Sequence, residues 1–151
     1  MKISKKSYYG LRAVLTLAQA KEPLSIHTIA LTEHLPEDYL EKILQALRRG
    51  GIVEAKKGTT GGYVLTRPIA SISTWDILKI LDGPIEMFMP PVKGELPCLQ
   101  VSHCQTNHAW RILEQAIEKA LSSMTIQQLL NNNNTQIPFP NAKQNSECPK
   151  F

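Results

Sequence analysis

The stretch SIHTIALTEHLPEDYLEKILQALRRGGIVEAKKGTTGGYVLTR, residues 25–67, decides the fold class. Ser25 suits the N-cap of a short helix carrying Ile26, Ile29, Ala30 and Leu31 on one side, and a turn around Glu33 and His34 closes it. Pro36 restarts the chain. Proline lacks the amide hydrogen that a first helical turn leaves unused, so it fits the first helical position, and Glu37 and Asp38 beside it favour the positive end of the helix dipole. In the helix that follows, Tyr39, Leu40, Ile43, Leu44 and Leu47 repeat at the spacing of one buried stripe. Glu41, Lys42, Gln45, Arg48 and Arg49 take the remaining face, and Gly50 and Gly51 stop the helix. Two short helices joined by a tight turn suit a motif whose second helix lies in a DNA major groove.

After the glycine stop, Ile52 and Val53 open a strand and Tyr63, Val64 and Leu65 form its return. Between them lie Lys56, Lys57, Gly58, Thr59, Thr60, Gly61 and Gly62. The three glycines let such a tip adopt positive backbone torsions and come close to a phosphate, and the two lysines charge it. An isolated hairpin of this kind can equally be a soluble loop; directly behind a helix-turn-helix it reads as a wing. The fold class is therefore mainly α with a small β-wing, a winged helix-turn-helix domain over residues 1–83.

The charges are distributed in the same sense. Residues 1–67 carry eleven Lys or Arg against six Asp or Glu, a net of +5, and residues 68–151 carry six against seven, a net of −1. A polyanionic partner accounts for that asymmetry, because each neutralised phosphate releases a condensed counterion; a solvated basic face is the plainer alternative. Among the DNA-facing candidates are Ser25, His27, Tyr39, Glu41, Lys42, Gln45, Arg48, Arg49, Lys56, Lys57, Gly58 and Thr59. His27 and His34 read as surface or phosphate-contact residues rather than metal ligands.

At 151 residues and 42% hydrophobic, the chain can bury one core with a helical extension. No apolar run approaches the ~20 residues that span a bilayer, and MKISKKSYYG lacks the apolar stretch of a signal peptide, so a cytoplasmic location and no membrane partner are expected. Three cysteines, an odd number in a reducing compartment, suit metal or redox chemistry better than a disulfide framework. Neither a close Cys-x-x-Cys pair nor a nucleophile with base and oxyanion site is present, which argues against an enzyme.

Upstream, residues 7–20 predict an amphipathic helix with Tyr8, Leu11, Val14, Leu15 and Ala18 on its core stripe. Beyond the wing, Ser73 caps a helix with Trp75, Ile77, Leu78, Ile80 and Leu81, closed by Gly83 and Pro84. Residues 84–104 form a loop rich in proline that contains Cys98 and Cys104. From Thr106 to Met124, apolar residues recur at Trp110, Leu113, Ile117, Ala120 and Met124, widened by Ile112, Ala116 and Leu121. Intervals alternating three and four are the seam of a two-helix packing, so this segment is read as a homodimer helix, with packing on its own domain as the alternative. A short helix around Ile126 to Leu130 caps it. Residues 105–131 thus form the dimerisation unit, and the aperiodic residues 132–151 a mobile tail.

The ordered combination of MKISKKSYYGLRAVLTLA, DYLEKILQALRRGGIVEAKKGTTGGYVL, TWDILKILDGP and a cysteine pair before a long helix resembles the Rrf2 family of bacterial transcriptional regulators over about residues 1–131. The resemblance implies a dimer that binds double-stranded DNA, with the second helix of the motif in the major groove and the wing tip at the minor groove. By position it makes Tyr39, Glu41, Lys42 and Gln45 groove-facing and puts Lys57 where relatives carry an arginine. Lysine still neutralises phosphate but reads a narrow minor groove less well than a planar guanidinium. Cluster-binding members hold an iron-sulfur centre with three loop cysteines and a fourth ligand. Here Cys98 and Cys104 keep the family's spacing, Val92 replaces the upstream cysteine, and Asn107 stands at the histidine position, with His108 next to it. Three states stay open: an iron-sulfur cluster, 2Fe-2S favoured, completed by His103, His108 or Cys148; a reversible Cys98–Cys104 thiol switch; and inert thiols. A winged-helix module that binds another protein, with neither DNA nor metal, is the competing reading of the whole chain.

Overall fold

The computed structural model describes residues 3–58, 61–87 and 105–131. Helix α1 (Lys5–Gln19) is followed by α2 (Ile26–Glu33) and α3 (Glu37–Arg49), then by strands β1 (Val53–Lys56) and β2 (Gly62–Leu65). A 3-10 turn at Ile69–Ser71, α4 (Thr74–Asp82), α5 (Gln105–Ser123) and α6 (Ile126–Asn131) complete the described chain. The strands pair antiparallel in the register Val53 to Leu65 and Lys56 to Gly62. This is a winged helix-turn-helix fold.

Local chemistry explains the boundaries. The Ser25 hydroxyl accepts the Thr28 amide at the start of α2. At its end His34 takes the left-handed conformation (φ 54°, ψ 47°), and the Leu35 amide returns to the Ala30 carbonyl at 2.9 Å. The same closure ends α3, where Gly51 has φ +72°, its amide reaches the Arg48 carbonyl, and Ile52 donates back to Leu47 at 2.9 Å. Pro36 is the N-cap of α3 and Glu37 its first residue, one position from the sequence expectation. Ser73 and Asp76 form a reciprocal capping box on α4.

One core joins these elements. Val14, Ile29, Leu40, Ile43, Leu44, Leu47, Ile52, Ile72, Ile77 and Ile126 are all fully buried. Each such side chain contributes roughly 1.5–3 kcal/mol relative to exposure. Of the stripe expected on α1, Val14 is fully buried and Leu11, Leu15 and Ala18 pack half-buried against the core, but Tyr8 is corrected to 40% exposed, and Ser7, Gly10, Ala13 and Leu17 complete the buried side. Small residues face α4 because the helices approach closely there; a Cβ on Gly10 would run into the Leu81 side chain. Leu31, expected on the buried side of α2, is 63% exposed, and Glu33 is buried instead.

Two attachments shape the wing and the N-terminus. Leu24 and Tyr63 exchange both backbone hydrogen bonds (3.1 and 2.8 Å), which ties the wing's return strand to the segment entering α2. At the other end of α1, Asp82 accepts from the Ser4 amide at 3.1 Å and the Ser4 hydroxyl at 2.5 Å, while Lys6 donates to the Leu81 carbonyl. Helix α6 does not simply cap α5. Ile126 donates to the Ile72 carbonyl, Thr74 to that of Met124, and α6 packs on α1 and the 3-10 turn.

These contacts give two expected outcomes. A Cβ at position 62 would meet the Leu24 carbonyl and the Ser25 amide, rigid backbone atoms, so Gly62→Ala should cost about 1–3 kcal/mol and speed hydrogen exchange at the Leu24 and Tyr63 amides. For Asp82, burial raises the pKa, but the hydrogen bonds from the Ser4 hydroxyl and amide and the charge of Lys6 outweigh it and hold the carboxyl below its usual value. That contribution is present above the ordinary carboxylate range and is lost as pH falls through the lowered pKa. Asp82→Asn should therefore melt below the parent protein at pH 7, with the gap in Tm closing as the medium is acidified below about pH 4.

Candidate nucleic-acid interface

Helix α3 has two chemically opposite faces. Leu40, Ile43, Leu44, Ala46 and Leu47 are buried, while Glu41, Lys42, Gln45, Arg48 and Arg49 are exposed, as the heptad-like spacing predicts. The buried stripe packs on α1, α2 and α4, so the polar face is held by the core rather than by its own contacts. Glu37 and Asp38 in the first turn and Arg48 and Arg49 in the last complement the helix dipole, which places the cationic groups at the C-terminal end. Gln45, Arg48 and Arg49 line a shallow hollow there.

The candidate residues are not equally available. The Gln45 amide donates to Glu41 at 3.1 Å, which orients both side chains on the open face. Among the described residues, the side chains of Lys42, Arg48, Arg49 and Lys57 are exposed and make no hydrogen bond or ion pair. Tyr39 is half-buried and meets Tyr9 edge-on at 6.3 Å between ring centroids, so its ring is committed to the contact between α1 and α3. Ser25 is exposed, with its hydroxyl occupied as the α2 cap and paired with Thr28 at 2.9 Å. His27 lies 2.6 Å from a Glu37 carboxylate oxygen, bridging the starts of α2 and α3.

The wing departs from the expected picture in detail. Lys56 belongs to β1 and pairs with Glu54 at 2.8 Å, two residues back on the same face of the strand, so Lys57 is the uncommitted cation. Gly58 has φ +130°, a conformation open to glycine. Gly61 serves another need: a Cβ there would sit 2.7 Å from the Lys56 carbonyl and 2.8 Å from that of Gly58. Thr59 and Thr60 lie outside the described residues.

Sequence reading missed the groups that hold this surface in place. Thr66 donates to the Gly51 carbonyl at 2.6 Å, closing the base of the wing, and Arg67 lies 3.6 Å from Asp76. Buried Glu33 is bound by Arg12 at 2.5 Å and by the Thr16 hydroxyl. An acidic residue at the C-terminal end of a helix, where the dipole disfavours it, was the available signal for such a partner.

Of the sensing candidates, Cys98, His103, Cys104 and Cys148 lie outside the described residues, as does Val92. His108 is exposed on α5. Among the described residues no group of three His, Cys, Asp or Glu side chains is arranged to hold a metal ion. No described helix is long and apolar enough to cross a membrane.

Helix α5 carries a second surface. None of its side chains from His108 to Ser123 is buried, and Trp110, Ile112 and Leu113 are 44, 54 and 38% exposed. The Glu114 carboxylate accepts the Met87 amide at 2.7 Å, fastening the end of the segment after α4 to this helix.

A hydrophobically anchored helix with a free polar face, flanked by a charged wing, defines a winged-helix protein of the DNA-binding class. The family model for Rrf2, described as an iron-dependent transcriptional regulator, matches residues 3–132. A Synechocystis protein named as an HTH-type transcriptional regulator is 40% identical over 131 residues, covering 85% of this chain and 87% of its own. CymR of Bacillus subtilis, also named as an HTH-type transcriptional regulator, is 35% identical over 131 residues, with coverages of 85% and 89%. The solved structure of CymR, the global cysteine regulator of B. subtilis, superposes with a TM-score of 0.72 at 32% identity, covering 89% of this chain and 99% of that one. IscR of T. potens follows with 0.69 at 30% identity, covering 87% and 88%. The chain belongs to the Rrf2 family of transcriptional regulators.

Proposed function

We propose that this protein works as a cytoplasmic homodimer that lays α3 in the major groove of double-stranded DNA, sets Lys57 of the wing against the neighbouring backbone, and takes its signal through Cys98 and Cys104. The observation that carries the DNA reading is the open face of α3. Glu41, Lys42, Gln45, Arg48 and Arg49 stand exposed on a helix whose opposite face is part of the core. Gln45, oriented by Glu41, has the donor and acceptor pair that recognises adenine in the major groove, and the arginines suit phosphate or guanine. Ser25 and His27 lie where the start of α2 would cross the backbone, and Lys56, Lys57, Gly58 and Thr59 make up the wing contact. The chain acts by binding and performs no catalysis.

Support for the dimer comes from α5. The 19-residue helix packs on α4 but has no buried side chain from His108 onward, whereas helices in proteins draw most of their stability from burying an apolar face. Its Trp110, Leu113, Ile117, Ala120 and Met124 seam fits a second copy, which would present two α3 helices to half-sites about 34–36 Å apart. The family description as iron-dependent supports iron-sulfur sensing. Two loop thiolates are short of a full ligand set, so His103, His108 or Cys148 would complete it, with 2Fe-2S favoured because imidazole replaces thiolate in such centres. Bound there, a cluster would supply one-electron redox chemistry.

Selection from a randomised duplex pool should yield a preferred duplex. On it, Gln45→Ala should cost about 1–3 kcal/mol and relax one base position, and Lys57→Ala should lower the salt slope of log K by about 1 with preference retained. A parent protein that enriches no duplex at low salt would favour the protein-binding alternative and remove this reading. Anaerobically purified protein should absorb in the visible, and Cys98→Ala or Cys104→Ala should bleach it. A colourless, iron-free protein overturns the cluster. If it also shows a reversible Cys98–Cys104 disulfide, the thiol switch takes its place.

A further inference from the structure

The proposed function leaves unused the one buried carboxylate among the described residues. Glu33 is 6% exposed and ends α2. Arg12 of α1 donates its Nε to Glu33 at 2.5 Å, and the Thr16 hydroxyl, one turn further along α1, donates to the second carboxylate oxygen. The same guanidinium lies over the rings of Tyr8 and Tyr9, 5.8 and 6.0 Å from their centroids. Tyr9 in turn meets Tyr39, in the first turn of α3, edge-on. Arg12 is therefore joined to both sides of the turn between α2 and α3: directly to Glu33 before it, and through Tyr9 to Tyr39 after it. Between these anchors lies His34, held in the left-handed conformation that strains a residue with a side chain. Burial opposes the Arg12 charge, but Tyr8 and Glu33 outweigh it and raise its pKa, so the guanidinium stays charged.

We propose that Arg12 and Glu33 are positioning residues that fix the angle of α3, so that their ion pair governs discrimination between DNA sequences rather than attraction to the duplex. The inference rests on the DNA reading proposed above. The pair is half-buried, with the Glu33 side chain 6% and the Arg12 side chain 33% exposed. An ion pair taken from water is poor evidence for stability in itself, because apolar residues of similar volume often replace it without loss, whereas its hydrogen bonds impose a direction that apolar packing does not. Base readout needs side-chain placement to a fraction of an ångström, and phosphate attraction does not.

The experiment compares affinity for the duplex enriched by the parent protein with affinity for a scrambled duplex of the same composition. The parent's own discrimination is measured first; its absence defeats the DNA reading, independently of Arg12 and Glu33. Glu33→Gln keeps an acceptor for Thr16 and removes the charge, and is assayed well below its Tm with helical content confirmed by circular dichroism. It should lose tenfold or more of the affinity ratio while binding to the scrambled duplex and its salt slope stay within twofold. The double variant Arg12→Met with Glu33→Leu should regain thermal stability without regaining discrimination. A Glu33→Gln protein with the parental ratio overturns the proposal. So does a double variant whose discrimination returns together with its Tm, since the pair would then act only through stability.

Discussion

Everything proposed for the DNA-facing surface depends on the burial of one stripe of α3. Leu40, Ile43, Leu44 and Leu47 are fully enclosed by α1, α2 and α4, so rotation of the helix about its axis would expose them. At roughly 1.5–3 kcal/mol for each side chain, such a rotation is prohibitive against a typical domain stability of about 5–15 kcal/mol. Glu41, Lys42, Gln45, Arg48 and Arg49 are consequently aimed outward without spending contacts on one another, apart from the Glu41–Gln45 pair. The wing follows from the same helix: the glycine closure at Gly50 and Gly51 turns the chain directly into β1, and Thr66 fastens the return strand to the Gly51 carbonyl.

The helix-turn-helix and wing could be read from sequence because their signals are local. Ser25, Ser73 and the Gly50–Gly51 pair act within a few residues of themselves, and the apolar spacing of α3 coincides with its real stripe. Where the determinant lies far away along the chain, periodicity failed. Tyr8 matched the apolar repeat of α1, yet the close approach of α4 selects small residues on that helix, and the tyrosine faces outward. Leu31 and Glu33 exchange their expected environments because Arg12, 21 residues upstream, lies over the end of α2. Ile126 is fully buried because Thr125 pairs with Ser73 across the chain, a bridge that no short motif announces.

The interface residues show the same division. The open face of α3 follows from helical spacing alone. The glycines of the wing tip were expected to serve one purpose, but only Gly58 shows a positive φ at the tip, while Gly61 and Gly62 are required by neighbouring backbone. Two adjacent lysines looked equivalent, yet strand pleating brings Lys56 beside Glu54 and leaves Lys57 alone. Period-two reasoning applied to residues 53–56 would have separated them.

The attachments around the cysteine-bearing segment explain how chemistry there could reach α3. Its N-terminal side leaves α4 next to Asp82, which is clasped by Ser4, and reaches Met87, whose amide is held by Glu114 of α5; its C-terminal side enters α5 itself. Under the proposed sensing role, a change in that segment would act on α4 and α5 together. Helix α4 packs against both α1 and α3, and α5 bears the seam proposed to join two copies. In the proposed dimer, the angle between α4 and α5 would set the separation of the two α3 helices. Discrimination for paired half-sites depends steeply on that separation, because both helices must meet base edges at once. For the proposed dimer, rigid seating of α3 within each subunit and the spacing between subunits would be complementary requirements, and contacts inside a single chain provide the first.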